Sequence, residues 1–425
     1  MAPPDDPGRQ ADGLGPADGD PSQADRPWPA DLAAPEVAPL WADVAEVADL
    51  ADPAALARVR RAHPGADPAL VSAIATQVAL RRRAQPRLGT WSSGAILDAE
   101  ALEQATRADV AAYRARRIAE RWGLGRVADI GCGIGTDSHA LSQAGFDVIA
   151  IEQDPWRAEA ASINLAPDGI EVICDDITAG DCVALSDCDV AYVDPARRSS
   201  SGPRRIDGRR GSPLNAPDEW SPPWPWVVAL SGLMPVVAKV APGIDTRLAP
   251  ASADVEWIDH DGQTVEATCW MGPDGNGERR ATAIVGDAID SIWRAQEPDL
   301  TGPATSMASG LLIEPTPAVV RAHLVGNLAE RLGACRLDGG TWLTADACAD
   351  TPLVRTWRIV DEVPHGVREL RAWLRGRGSV TWKTADARVS AADWDRRVGH
   401  RPSRGTPATV VITGQGRAFA AEPGR

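Results

Sequence analysis

The chain has 425 residues, 44% of them hydrophobic, and carries 59 Asp and Glu against 44 Lys and Arg for a net charge of −15. That length accommodates two or three domains with cores of their own, and no apolar run approaches the roughly 20 residues of a membrane span. The opening MAPPDDPGRQ lacks the basic and apolar regions of a secretory signal, so a cytoplasmic location is expected.

Seven cysteines, at 132, 174, 182, 188, 269, 335 and 348, fall without C-x-x-C spacing and predict neither a disulfide framework nor a metal site. The acidic balance argues against a nucleic-acid partner, since phosphate binding rests on Lys and Arg. The distribution weakens that objection: residues 1–50 hold 11 acids and 2 arginines, while residues 315–425 hold 17 basic residues and 11 acids. Nearly all the cationic charge is arginine, which suits bidentate phosphate contacts and is also what a coding bias rich in Ala, Gly, Pro and Arg yields.

Residues 1–35 are Pro, Asp, Gly and Ala with few large apolar groups, so they cannot offset their ordering entropy, and a disordered acidic tail is predicted. Apolar spacing then predicts helices over Val37–Leu50, Pro53–Ala62 and Pro68–Arg83, and residues 36–100 read as a helical region. Arg81-Arg82-Arg83 reads as a solvated basic helix end. Leu102-Glu-Gln-Ala-Thr-Arg107 precedes another helix, Val110–Trp122, and Thr106 or Asp109 there suits a helix cap.

Val127-Ala-Asp-Ile130 is a short apolar run broken by one carboxylate, followed by a glycine-rich turn and an amphipathic stretch, Ser138–Ala144. Strand, tight turn and helix are predicted, with Gly131, Gly133 and Gly135 allowing positive φ and close approach of a ligand to the backbone at Cys132 and Thr136. The next strand, Val148–Ile151, ends in Glu152-Gln153, 21 residues after Gly131, where a carboxylate can accept from both hydroxyls of a ribose. A dinucleotide fingerprint, G-x-G-x-x-G, would need glycine where Thr136 stands. Asp129 would repel a pyrophosphate but pairs readily with a cationic group. Further on, Val172-Ile-Cys-Asp-Asp-Ile177 and the strand Val190–Val193 each run into an acid, and Asp194-Pro195 sets a carboxylate and a rigid backbone at the carboxyl edge of a parallel sheet, where ligands bind.

With these segments in order the chain resembles the class I S-adenosylmethionine-dependent methyltransferases. The resemblance assigns Asp129, Gly131, Cys132, Gly133, Gly135 and Thr136 to motif I, Glu152 with Gln153 to the ribose, Asp176 with Ile177 to the adenine, and Asp194-Pro195-Ala-Arg197-Arg198 to the catalytic motif. It implies S-adenosyl-L-methionine as cofactor and a Rossmann-like α/β core over residues 101–305. It also makes Glu-Gln-Ala-Thr a recurring feature before motif I, which would line the outer wall of the cofactor pocket. Amine methyltransferases carry Asp/Asn-Pro-Pro and an aromatic at the fourth strand, where this chain has Ala196 and Arg197. Asp-Pro-x-Arg also looks like the pattern of RNA uridine C5-methyltransferases, whose nucleophilic cysteine would here be Cys269, in a run that reads as a buried strand.

Ser199–Pro225, rich in Pro, Gly, Ser and Arg, reads as a basic lid, with Trp220, Trp224 and Trp226 as stacking surface or core. Strands are predicted at Val236–Val240, Val255–Asp259, Thr264–Trp270 and Thr282–Val285. From Leu311 the pattern becomes helix (Pro317–Leu332), strand (Val354–Val360), helix (Val367–Arg375), strand (Ser379–Lys383), helix (Ala391–Val398) and a strand pair (408–413, 417–421), an α+β domain over 311–422. Glu314-Pro-x-Pro-Ala-Val, Glu369-Leu-Arg-x-Trp-Leu and Gly378-Ser-Val-Thr-Trp-Lys383 resemble a THUMP-like domain fused behind a methyltransferase in a bacterial family. The resemblance implies an RNA substrate, tRNA or rRNA, with Arg375, Arg377 and Lys383 as phosphate contacts; the bland reading is a solvated basic face. No metal, membrane or obligate protein partner is expected. The alternatives are an RNA-binding protein with an inactive core and a small-molecule methyltransferase; an NAD-linked oxidoreductase fits least.

Overall fold

The computed structural model describes residues 26–179, 185–196, 217–294, 303–305, 307–338, 340–384, 390–413 and 416–424. Ahead of the first strand come α1 (Pro29–Ala33), α2 (Ala38–Ala45), α3 (Pro53–Ala62), α4 (Pro68–Leu88), α5 (Ala99–Gln104) and α6 (Ala108–Trp122). Asp52 and Asp67 start α3 and α4 by accepting the free N–H groups of Ala54 and Ala69.

Order begins earlier than residue 36. Residues 1–25 lie outside the described residues, but Arg26 stacks on Trp156, 3.2 Å from its ring centre, and pairs with Asp98 at 2.9 Å. The Trp156 indole donates to the Pro27 carbonyl, and Leu32 is buried, so a few anchoring side chains offset the ordering entropy. The helix expected over 37–50 stops at Ala45. Arg82 there donates to the carbonyls of Ala45, Val47 and Ala48, and Arg81 stacks on Trp41 while donating to Gly94 and Ala95. Arg81 and Arg82 thus brace the helical region, while Arg83 is exposed.

There follow β1 (Arg126–Ile130), α7 (Thr136–Gln143), β2 (Asp147–Glu152), α8 (Pro155–Leu165), β3 (Glu171–Cys174), β4 (Val190–Val193), α9 (Trp224–Leu230), β5 (Val236–Val240), β6 (Asp254–His260), β7 (Gln263–Met271), β8 (Arg279–Val285) and β9 (Ala288–Arg294). They form one sheet in the order β3-β2-β1-β4-β5-β7-β6-β8-β9. The first five strands are parallel and β7 is antiparallel to β5. The chain winds outward from β1 in one direction and from β4 in the other. The two halves part between β1 and β4, and the crevice beyond their carboxyl ends is where open α/β sheets bind ligands. The four strands predicted beyond residue 230 correspond to β5–β8; β9 was not anticipated.

One face of this sheet packs under α6 and α7 through Val127, Val190, Tyr192 and Val237. The other packs against Trp220, Trp224 and two helices from further along the chain. Those helices are α10 (Pro317–Arg321) and α11 (Val325–Leu332), which replace the single helix expected over 317–332. The break falls at His323, whose φ of 59° no α-helix tolerates. Ala318, Val319, Leu328 and Ala329 are buried in the same cluster as β5–β8, and the Ala318 N–H donates to the buried Asp259 carboxylate at 2.8 Å.

A second sheet is made of β10 (Ala304–Thr305), β11 (Leu311–Pro315), β12 (Cys335–Leu337), β13 (Leu343–Ala345), β14 (Val354–Val363), β15 (Val380–Thr384), β16 (Ala408–Ile412) and β17 (Ala418–Pro423), in the order β10-β12-β13-β11-β14-β17-β16-β15. α12 (Val367–Trp373) and α13 (Ala391–Val398) cover its far end through Leu370, Leu374, Trp394 and Val398.

Candidate cofactor and acceptor site

Gly131, Gly133 and Gly135 have φ of 78°, 59° and 94°. At Gly131 a Cβ would stand 3.1 Å from the Asp194 carbonyl, and at Gly135 one would run into Leu165 at 2.8 Å, so the turn is pressed between β4 and α8. The same side of Gly133 faces open space. That space belongs to a cavity of about 500 Å³ lined by the turn, Glu152, Gln153, Asp175, Asp176, Ile177, Asp194, Gln104, Ala105 and Ser221. Such a volume is typical of small-molecule and cofactor sites.

Of the residues singled out from the sequence, Gly131, Cys132, Gly133, Thr136, Glu152, Gln153, Asp176, Ile177 and Asp194 line this one cavity. Asp129 is wholly buried behind the turn, where Ser138 donates to Oδ2 while Oδ1 has no partner. Burial, then the charge of Asp137, pushes its carboxyl up to about 8. Both Glu152 oxygens accept backbone N–H groups, from Gly133 and from Asp154, each at 2.9 Å. Burial still holds this carboxyl above its ordinary value. One Asp176 oxygen turns back on Thr178, which leaves the other free. Gln153 donates to Ser221 at 2.9 Å, and Ser221 exchanges backbone hydrogen bonds with Ala196. Pro195 is buried; Arg197 and Arg198 lie outside the described residues, as does most of the expected basic lid.

Beneath the cavity lie charged groups that the motifs do not single out. Arg114, on α6, is fully buried and donates to Asp137, Glu266 and Thr106. Thr106 also donates to Asp137 at 2.8 Å, so it caps no helix: it ties Glu-Gln-Ala-Thr to the helix of the glycine turn. Lys239, on β5 and buried, donates to Asp194 Oδ2 at 2.7 Å and to the Gln104 carbonyl at 2.9 Å. The visible signal for it was a lysine in the otherwise apolar strand Val-Val-Ala-Lys-Val.

Several other candidates resolve differently. Cys269 is buried in β7 and its thiol is pushed up to about 12 by burial, which removes it as a nucleophile. Trp220 and Trp224 are buried edge to face, as core rather than stacking surface. In the second sheet, Lys383 is held by both oxygens of Glu314, at 3.1 and 3.0 Å. Arg375 is exposed at the end of α12, and Arg377 stacks on Trp373 at 3.7 Å.

No family model matches the chain. An uncharacterised S-adenosylmethionine-dependent methyltransferase of Mycobacterium tuberculosis, present in strains CDC 1551 and H37Rv, is 33% identical over 347 residues, 79% of this chain and 90% of the relative. The chain belongs to the S-adenosylmethionine-dependent methyltransferases. The crystal structure of a candidate methyltransferase from Porphyromonas gingivalis W83 shares its fold, with a TM-score of 0.68 at 20% identity over 84% of this chain and 91% of that one. The methyltransferase cavity fits its cofactor chemically. Glu152 and the free oxygen of Asp176 are hydrogen-bond acceptors in its lining, and behind the turn Asp129 has an oxygen without a partner among the described residues.

Proposed function

We propose that this methyltransferase is a cytoplasmic enzyme that modifies RNA, tRNA or rRNA, presented by the second sheet acting as a THUMP-like domain. S-adenosylmethionine supplies the methyl group from its sulfonium centre. In this reading Asp129 meets the cofactor's cationic end across the turn of Gly131, Cys132, Gly133, Gly135 and Thr136. Glu152 and Gln153 hold the ribose, and Asp176 with Ile177 the adenine. Asp194, fixed by Pro195, orients or deprotonates the acceptor, with Arg197 and Arg198 holding nearby phosphate or base. The reaction is a displacement that depends on alignment, so these residues act mainly by positioning.

The observation that carries the RNA reading is a basic face in an acidic chain. Between 366 and 404 the described residues include nine Lys and Arg against three Asp and Glu, and Arg368, Arg375, Arg396, Arg397, Arg401 and Arg404 are exposed around α12 and α13. Arginines grouped in this way form the electrostatic footprint of a nucleic-acid surface. A second reading rests on the cavity, whose described lining has eight carboxylates and one arginine, Arg157; that balance favours a small neutral or cationic acceptor.

Incubation with methyl-labelled S-adenosylmethionine, bulk tRNA, rRNA and a small-molecule extract separates the two. Label in RNA, lost in Asp194→Ala while RNA binding persists, supports the first reading. Label confined to the small-molecule fraction supports the second, and RNA binding without label from the wild type contradicts RNA as substrate.

A further inference from the structure

Lys239 is one of only two lysines in a chain whose other 42 basic residues are arginines. It stands on the β5 face that carries Val237, in a strand whose remaining side chains are buried and apolar. Removing an ammonium from water costs several kcal/mol on the order expected for any buried ion. A methionine of similar length would pack there without that cost.

What the ammonium has instead is geometry. It links Asp194, at the end of β4, to the Gln104 carbonyl at the end of α5, and both residues line the cavity. These groups lie 45 and 135 residues away in sequence. A guanidinium is planar and forked, whereas an ammonium is a compact point charge that can bond two oxygens approaching at a tetrahedral angle. Among the described residues only Oδ2 of Asp194 is engaged, and Asp194 lines the cavity.

We propose that Lys239 is a positioning residue of methyl transfer: it fixes the Asp194 carboxylate toward the acceptor and locks it to the Gln104 carbonyl. The inference rests on the reading of Asp194 as the acceptor-orienting group. Glu266, the buried carboxylate on β7, is paired with Arg114 and also feels the charge of Lys239, but the hydrogen bonds of the ammonium go to Asp194 and Gln104.

With two lysines in the chain, lysine-specific ¹⁵N labelling gives two ammonium resonances, assigned by Lys383→Met. The Lys239 ammonium is expected to exchange with water more slowly than that of Lys383, and Asp194→Asn should abolish the difference. In methyl transfer, Lys239→Met and the charge-conserving Lys239→Arg should each lower kcat about a hundredfold. Cofactor affinity and acceptor KM should stay within about twofold of wild type. The double variant Lys239→Met/Asp194→Asn should be no slower than Asp194→Asn alone. A rapidly exchanging Lys239 ammonium that ignores Asp194→Asn overturns the proposal whatever the substrate, as do an unchanged kcat or losses that multiply in the double variant. Absence of label in RNA with the wild type would instead count against the RNA reading, leaving Lys239 to be judged on its ammonium resonance.

Discussion

Under the carboxyl edge of the first sheet lie Arg114, Asp129, Asp137, Glu152, Lys239 and Glu266, all buried. After residue 303 the buried polar side chains among the described residues are threonines, at 316, 344, 351 and 413, and the arginines of that half sit outside. The two sheets therefore keep their charges in opposite places. A buried ion costs several kcal/mol unless it is paired and hydrogen-bonded, so a fold that gathers six buried ionisable groups around one cavity is spending stability on a preorganised polar set. The second sheet has an apolar interior and a charged skin.

The sharpest way to break this contrast is Arg114→Met. It strands Asp137 and Glu266 without their cation, and a loss of about 3–5 kcal/mol is expected for breaking a buried pair on one side. A urea unfolding midpoint measures it. The methionine is of similar bulk, so the loss reports charge rather than a cavity.

A pH-dependent effect follows from Asp129. Its carboxyl is raised from 3.8 to about 8 in the folded protein, so across that window the native state keeps a proton that the unfolded chain gives up. Stability therefore falls as pH rises through the window, by up to about 1.4 kcal/mol per unit for this one group. Comparing wild type with Asp129→Asn in urea, at pH 5 and about 8, should show the wild type losing more. Equal losses would mean that the carboxyl is not held neutral.

The smallest effect belongs to the second sheet. Lys383→Met removes an ion pair whose side chains are 23% and 25% exposed, and a change of ~1 kcal/mol or less is expected, as for pairs that water screens. A cost near that of Arg114→Met would erase the distinction between the sheets.

What could be read from the sequence follows the same division. The glycine turn, Glu152, Asp176 and Asp194 are each marked by their local context, a carboxylate or glycine at the end of an apolar run, and the cavity gathers them. Arg114 resembles any arginine on an amphipathic helix, and its partner Glu266 is 152 residues away. No local pattern records a contact made across the sheet. Lys239 left one trace, a charge inside an apolar strand. In the second half, β12 and β13 are three residues each, too short for alternation to register. The break at His323 falls in Ala-His-Leu, without the glycine or proline that usually announces one.

The most direct test of the account is calorimetric titration of the purified protein with S-adenosylmethionine and S-adenosylhomocysteine, beside Glu152→Ala. Both compounds carry the ribose that Glu152 is proposed to hold, so both should bind the wild type and both should lose at least about tenfold in affinity, 1.4 kcal/mol, in the variant. Undiminished binding of both to Glu152→Ala, or binding of neither to a folded wild type, would contradict it.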